Sequence, residues 1–91
     1  MTIKAFVLVE AAVGRARDVA TALKGLDGVE SADVTTGPWD IIVIINGPDA
    51  NAVGKVIPWK ISQIEGVVRI VICIAVSNGK VLQRDSAFVK R

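Results

Sequence analysis

The 91-residue sequence predicts an α+β fold in which two strand–helix–strand units share one four-stranded antiparallel sheet. Three observations lead there. The first is an internal repeat. Leu23-Lys24-Gly25-Leu26-Asp27-Gly28-Val29 falls on Ile61-Ser62-Gln63-Ile64-Glu65-Gly66-Val67 under one shift of 38 positions, with the shared pattern L/I-x-x-L/I-D/E-G-V. The same shift lays residues 3–9 on residues 41–47, strand candidate on strand candidate. The second is the polar turn Thr35-Thr36-Gly37-Pro38-Trp39-Asp40, where Gly37 supplies unusual backbone angles and Pro38 fixes its own φ. The third is the run that the turn feeds, residues 41–45, which has no polar side chain on either face.

Each element follows in order. Residues 3–9 are β-prone and apolar apart from Lys4, the pattern of a central strand. Residues 14–26 carry Ala16, Val19, Ala20, Leu23 and Leu26 at the spacing of one helical face. Gly14 offers this helix no side-chain cap, Asp18 suits the dipole of its first turn, and Gly28 ends it. Residues 29–36 alternate, with Glu30, Ala32 and Val34 on one face and Ser31, Asp33 and Thr35 on the other, which fits an edge strand. After residues 41–45, Asn46-Gly47-Pro48-Asp49 breaks the chain, and Asp49 is a good N-cap for a second helix.

That helix shows Val53, Val56, Ile57, Ile61 and Ile64 on one face, with Pro58 inside it. Proline there lacks the donor for the carbonyl of Gly54 and collides with that turn, so a kink is expected over residues 54–58. Trp59 is then either an exposed anchor for a partner or, with the register shifted by the kink, core. Gly66 ends the helix, and residues 67–76, interrupted only by Arg69, form the fourth strand. Asn78-Gly79 signals a hairpin into a short fifth strand over residues 80–84. The expected organisation is one domain over residues 1–76, followed by a hairpin strand and basic tail over residues 77–91.

Composition narrows the function. With 52% hydrophobic residues in so short a chain, a single core is marginal unless association buries more surface. The one cysteine, Cys73, excludes an internal disulfide, and no Cys/His zinc pattern exists, so neither a metal nor another cofactor is expected. This fits a reducing, cytoplasmic setting. The longest apolar run, residues 70–76, is too short for a membrane span. The net charge of +2 is concentrated at the end of the chain, where Lys80, Arg84, Lys90 and Arg91 stand against Asp85. The remainder has no basic excess and so lacks the electrostatic footprint of nucleic-acid binding. With no His and no Tyr, the usual general acid and base groups are scarce.

Two such units joined by a hairpin, with right-handed crossovers placing both helices on one face, make a ferredoxin-like βαββαβ fold. The helices cover one face of the sheet while residues 41–45 and 70–76 are apolar on both. A second copy is therefore expected on the other face, giving a dimeric α+β barrel.

With these elements placed, Val34-Thr35-Thr36-Gly37-Pro38-Trp39-Asp40-Ile41-Ile42 and Ile64-Glu65-Gly66-Val67-Val68-Arg69 resemble the effector-binding RAM domain of the Lrp/AsnC regulators, over residues 3–76. The family patterns are close to V-x-G-x-x-D before an apolar run and I-P-G-V-x-x-T-x-T before the fourth strand. The resemblance implies a ligand-sensing and oligomerisation module, not an enzyme, that forms homodimers and rings of dimers. It implies a small-molecule effector of the amino-acid type, and co-assembly with a full-length Lrp/AsnC-type regulator. Because the first strand begins at Ile3, the chain is expected to lack the family's DNA-binding domain and to make no specific contact with DNA or membrane.

By the same resemblance the effector pocket involves Gly37, Pro38, Trp39 and Asp40 together with Gly66, Val67, Ile70 and Ile72 of a neighbouring dimer. Asp40 would face the ligand's ammonium group, while Gly37 would supply only a positive φ if the turn is purely structural. Ile70 and Ile72 stand where the family often has threonines, and Glu65 replaces a frequent proline, so hydroxyls that could hold a ligand carboxylate are missing. The competing classes are a small dimeric α+β barrel enzyme of monooxygenase or isomerase type and a structural oligomer without ligand.

Overall fold

The structure, a computed structural model, describes residues 2–77. The expected hairpin at Asn78-Gly79, the fifth strand and the basic tail lie outside the described residues. The elements run β1 (Ile3–Ala11), α1 (Ala16–Lys24), β2 (Val29–Val34), β3 (Ile41–Gly47), a π-helical segment (Ala52–Val56), α2 (Ile57–Ser62) and β4 (Val67–Ile74). All pairings are antiparallel and the strand order is β2-β3-β1-β4, so β1 and β3 are central as their composition requires. This is the ferredoxin-like α+β arrangement.

One face of the sheet carries the core. Alternation along β1 and β3 puts Ala5, Val7, Val9, Ile41, Val43 and Ile45 under the helices, where Val19, Ala20 and Leu23 of α1 and Ile57 and Ile61 of α2 close over them. Gly28, at φ +92°, lets the chain leave α1 beside Ile57, whose Cδ1 would lie 2.6 Å from any added Cβ.

The second helix is where local rules and tertiary demands meet. Asp49 caps it as expected, its Oδ1 accepting from the Ala52 N–H at 2.9 Å. The expected kink takes the form of the π-helical segment, in which the Ile57 N–H reaches back five residues to the Ala52 carbonyl. Pro58 then occupies the first turn of α2, where its missing N–H is no loss. Trp59 settles as exposed, at 62% of its surface.

Two further details depart from expectation. In β2 the pairing with β3 slips between Val29 and Ser31, so Glu30 leaves the face shared by Ala32 and Val34 and hydrogen-bonds Asn46 instead. In β1 a similar slip against β4 occurs between Glu10 and Ala11.

Among the described residues, no element covers the opposite face of the sheet. Two adjacent rungs across β3, β1 and β4, Ile44–Phe6–Cys73 and Ile42–Leu8–Val71, form an apolar patch on it. Charges close its ends: Lys4 lies over the Phe6 ring at 5.5 Å, and Arg69 pairs with Glu10 at 3.1 Å. An apolar centre with a polar rim is the anatomy of a protein interface rather than of a solvated surface.

Candidate functional site

The end of β1 joins the two sequence segments singled out above. Asp40 is held at the mouth of β3 by three backbone contacts. Its N–H donates to the Val9 carbonyl at 3.0 Å, its carbonyl accepts from the Thr35 N–H at 2.8 Å, and its Oδ2 accepts from the Ala11 N–H at 2.8 Å. The Thr35 hydroxyl donates to the Trp39 carbonyl at 2.8 Å and so ties down the other side of the loop. One residue after Ala11, the Ala12 N–H donates to the Gly66 carbonyl at 2.7 Å. Residues 11–12 thus bridge the Gly37–Asp40 turn and the start of β4 within one chain.

A cleft of about 680 Å³ opens at this junction. Ala11, Ala12, Gly14, Val13, Val34 and Pro38 line it, with Val13 fully exposed, and Glu10, Asp40 and Arg17 bring charge to it. The volume and the mixture of apolar wall with a few polar groups suit a small ligand. Asp40 uses one carboxylate oxygen on Ala11, and a carboxylate retains acceptor sites beyond one hydrogen bond. Both readings of Asp40, bracing the turn and offering charge to a ligand, are therefore compatible with its position.

Most charges around the cleft are already paired. Glu10 meets Arg69, whose guanidinium also lies 4.9 Å from the centre of the Trp39 ring. Arg15 reaches Glu65 at 3.8 Å and Asp18 at 3.6 Å. Arg17 has no ion-pair partner among the described residues.

The residues expected at the site do not all converge. Pro38 and Asp40 line the cleft, Gly37 shapes the turn at φ +128°, and Trp39 lies beside it under Arg69. Gly66 joins through its carbonyl. Val67, Ile70 and Ile72 pack against the core on the helix side of the sheet, since β4 alternates and pairs Ile70 with Val9 and Ile72 with Val7. Glu10, Val13 and Arg17 line the cleft without having been singled out in the sequence. The signal for Arg17 was present, as a cation in the first turn of a helix whose apolar face is fully occupied by other positions.

Gly66 and Gly37 differ in a measurable way. At Gly66, φ is +101° and an added Cβ would meet Val19 Cγ2 at 2.8 Å and Arg15 Cβ at 3.3 Å. At Gly37 nothing lies within 4 Å of that position. Gly66→Ala should therefore cost backbone strain of about 1–3 kcal/mol plus a steric clash. Gly37→Ala should cost the strain alone. Urea unfolding of the two variants should rank them in that order.

Comparison with protein-family models matches residues 4–83 to the Lrp/AsnC ligand binding domain. Among solved structures, TTHA0845 from Thermus thermophilus superposes with a TM-score of 0.78 at 27% identity, over 86% of this chain and 98% of that one. AsnC of E. coli gives 0.77 at 21% identity, over 89% of this chain and 55% of that one. The transcriptional regulator NMB0573 of Neisseria meningitidis, solved as a complex with L-Met, gives 0.74 at 20% identity, over 89% and 54%. For these last two the likeness is one of fold, and the chain spans little more than half their length. Functionally curated proteins give no match. The match over residues 4–83 places the chain in the Lrp/AsnC ligand-binding domain family.

Proposed function

We propose that the protein is an effector-sensing module that dimerises through the uncovered face of its sheet and binds a small molecule of the amino-acid class in the cleft at Asp40. The observation that carries this reading is the junction itself. The Gly37–Asp40 turn and Gly66 are both fastened to residues 11–12, and beside them lies a cleft of about 680 Å³ with apolar walls and charged groups at its rim. Family membership and the L-Met complex of NMB0573 support the ligand class.

The dimer is supported by the two apolar rungs centred on Phe6 and Leu8, which a second copy would bury back to back. In this reading a neighbouring dimer completes the cleft, and rings of dimers are the larger assembly. Two measurements test the proposal. Light scattering at micromolar concentration should give a mass at least twice the 9.6 kDa of one chain. A thermal-shift screen of the twenty amino acids should raise the melting temperature with apolar members of the set. A monomeric mass would remove the dimer. A flat screen would remove the effector and favour the structural oligomer.

A further inference from the structure

We propose that Arg17 is the carboxylate anchor of this cleft, so that the site selects a zwitterionic α-amino acid with an apolar side chain over the corresponding amine. The inference rests on reading the cleft as the effector site and adds to it the chemistry of the head group. In the sequence, isoleucines at 70 and 72 leave no hydroxyl for a ligand carboxylate, and in the structure both pack into the core, away from the cleft. No hydroxyl side chain lines the cleft, so a ligand carboxylate there calls for a cation or a backbone N–H.

Elimination among the nearby basic residues leaves one. Arg69 is committed to Glu10 at 3.1 Å and to the Trp39 ring at 4.9 Å. Arg15 is committed to Glu65 and Asp18. Lys4 lies over Phe6 on the uncovered face. Arg17 lines the cleft, is exposed, and has no ion-pair partner among the described residues. Its guanidinium offers the planar fork that matches a carboxylate.

The remaining charges complete the pattern. With Glu10 neutralised by Arg69, the cleft presents, among the described residues, one free carboxylate, Asp40, and one free cation, Arg17. That pair balances a ligand carrying both an ammonium and a carboxylate. An amine would leave Arg17 without a partner, and a simple carboxylic acid would leave Asp40 without one. Val13, Val34 and Pro38 then take the side chain.

Calorimetry decides it, using L-leucine, L-methionine and L-valine beside L-leucinol, L-methioninol and L-valinol, which keep the ammonium and side chain but lack the carboxylate. Wild-type protein should bind the amino acids about tenfold tighter than their alcohols, the scale of one exposed charge-assisted hydrogen bond. Arg17→Gln should erase that preference by weakening the amino acids alone, and Arg17→Lys should restore part of it. The melting temperature of unliganded Arg17→Gln should match wild type. If amino acids bind and Arg17→Gln leaves their affinity within about twofold, the anchor is wrong and the effector site stands. If wild type binds none of the six, the anchor fails; if the screen of all twenty amino acids is flat as well, the effector reading fails with it.

Discussion

A Leu8→Glu variant is expected to be a folded monomer at concentrations where the dimer proposed above would be fully formed. Leu8 sits between Ile42 and Val71 at the centre of the uncovered sheet face. In a face-to-face dimer each glutamate would be taken out of water without a cation to meet it. Breaking or omitting the partner of a buried charge costs about 3–5 kcal/mol, and the symmetry imposes the cost twice. A total of that size weakens the dimer by at least about ten-thousandfold. The protomer should survive, because the residues of β1 that hold the core, Ala5, Val7 and Val9, point the other way and are completely buried. Circular dichroism should therefore match wild type while the scattering mass halves. A Leu8→Glu protein that still dimerises would move the interface off this face.

The second large effect is at Asp40, where two substitutions separate two roles. Asp40→Ala removes the acceptor of the Ala11 N–H, a part-buried donor at the end of β1. Leaving such a donor unpaired costs about 1–3 kcal/mol, so the melting temperature should fall by several degrees. Asp40→Asn returns an oxygen to the same place and removes only the charge. It should keep most of the stability and lose about tenfold or more in amino-acid affinity, measured by calorimetry. Unchanged affinity in Asp40→Asn would reduce Asp40 to a brace for its turn.

Much of this architecture was legible in the residues because it depends on local rules that the tertiary structure obeys. The repeat of Leu23–Val29 in Ile61–Val67 marked two equivalent helix-to-strand turns; the helices themselves end earlier, at Lys24 and Ser62, and Gly28 and Gly66 adopt positive φ just before β2 and β4. Gly37-Pro38 fixed the central hairpin, and alternation set the faces of β1 and β3. What was hidden depends on contacts rather than on pattern. Pro58 announced a disturbance but not its form, since a proline can be met by a bend, a break or, as here, a widened turn over Ala52–Val56. The slip at Ser31 moved Glu30 to Asn46, and no residue in β2 marks a bulge in advance.

The candidate site was half legible for the same reason. Asp40 was expected at the site by resemblance to the family's turn pattern, and the structure places it in the lining of the cleft. Ile70 and Ile72 were expected, by resemblance, to reach the pocket from a neighbouring dimer, and within their own chain they pair with Val9 and Val7 and pack against the core. Arg17 and Glu10 could not be paired with Asp40 in the sequence because only the tertiary fold puts α1, the end of β1 and the Gly37–Asp40 turn around one cleft.

The most direct test of the central claim, that an amino-acid effector occupies the cleft between residues 11–12 and the Gly37–Asp40 turn, is an NMR titration of ¹⁵N-labelled protein. Each of the twenty amino acids is added in turn while the backbone amides are followed. The account predicts that at least one apolar amino acid shifts the amides of Ala11, Ala12, Gly37 and Asp40 together, with a common saturation curve, while the amides of α2 around Trp59 stay in place. Saturable shifts confined to α2 or to the β2 edge, or no shift with any of the twenty, would contradict it.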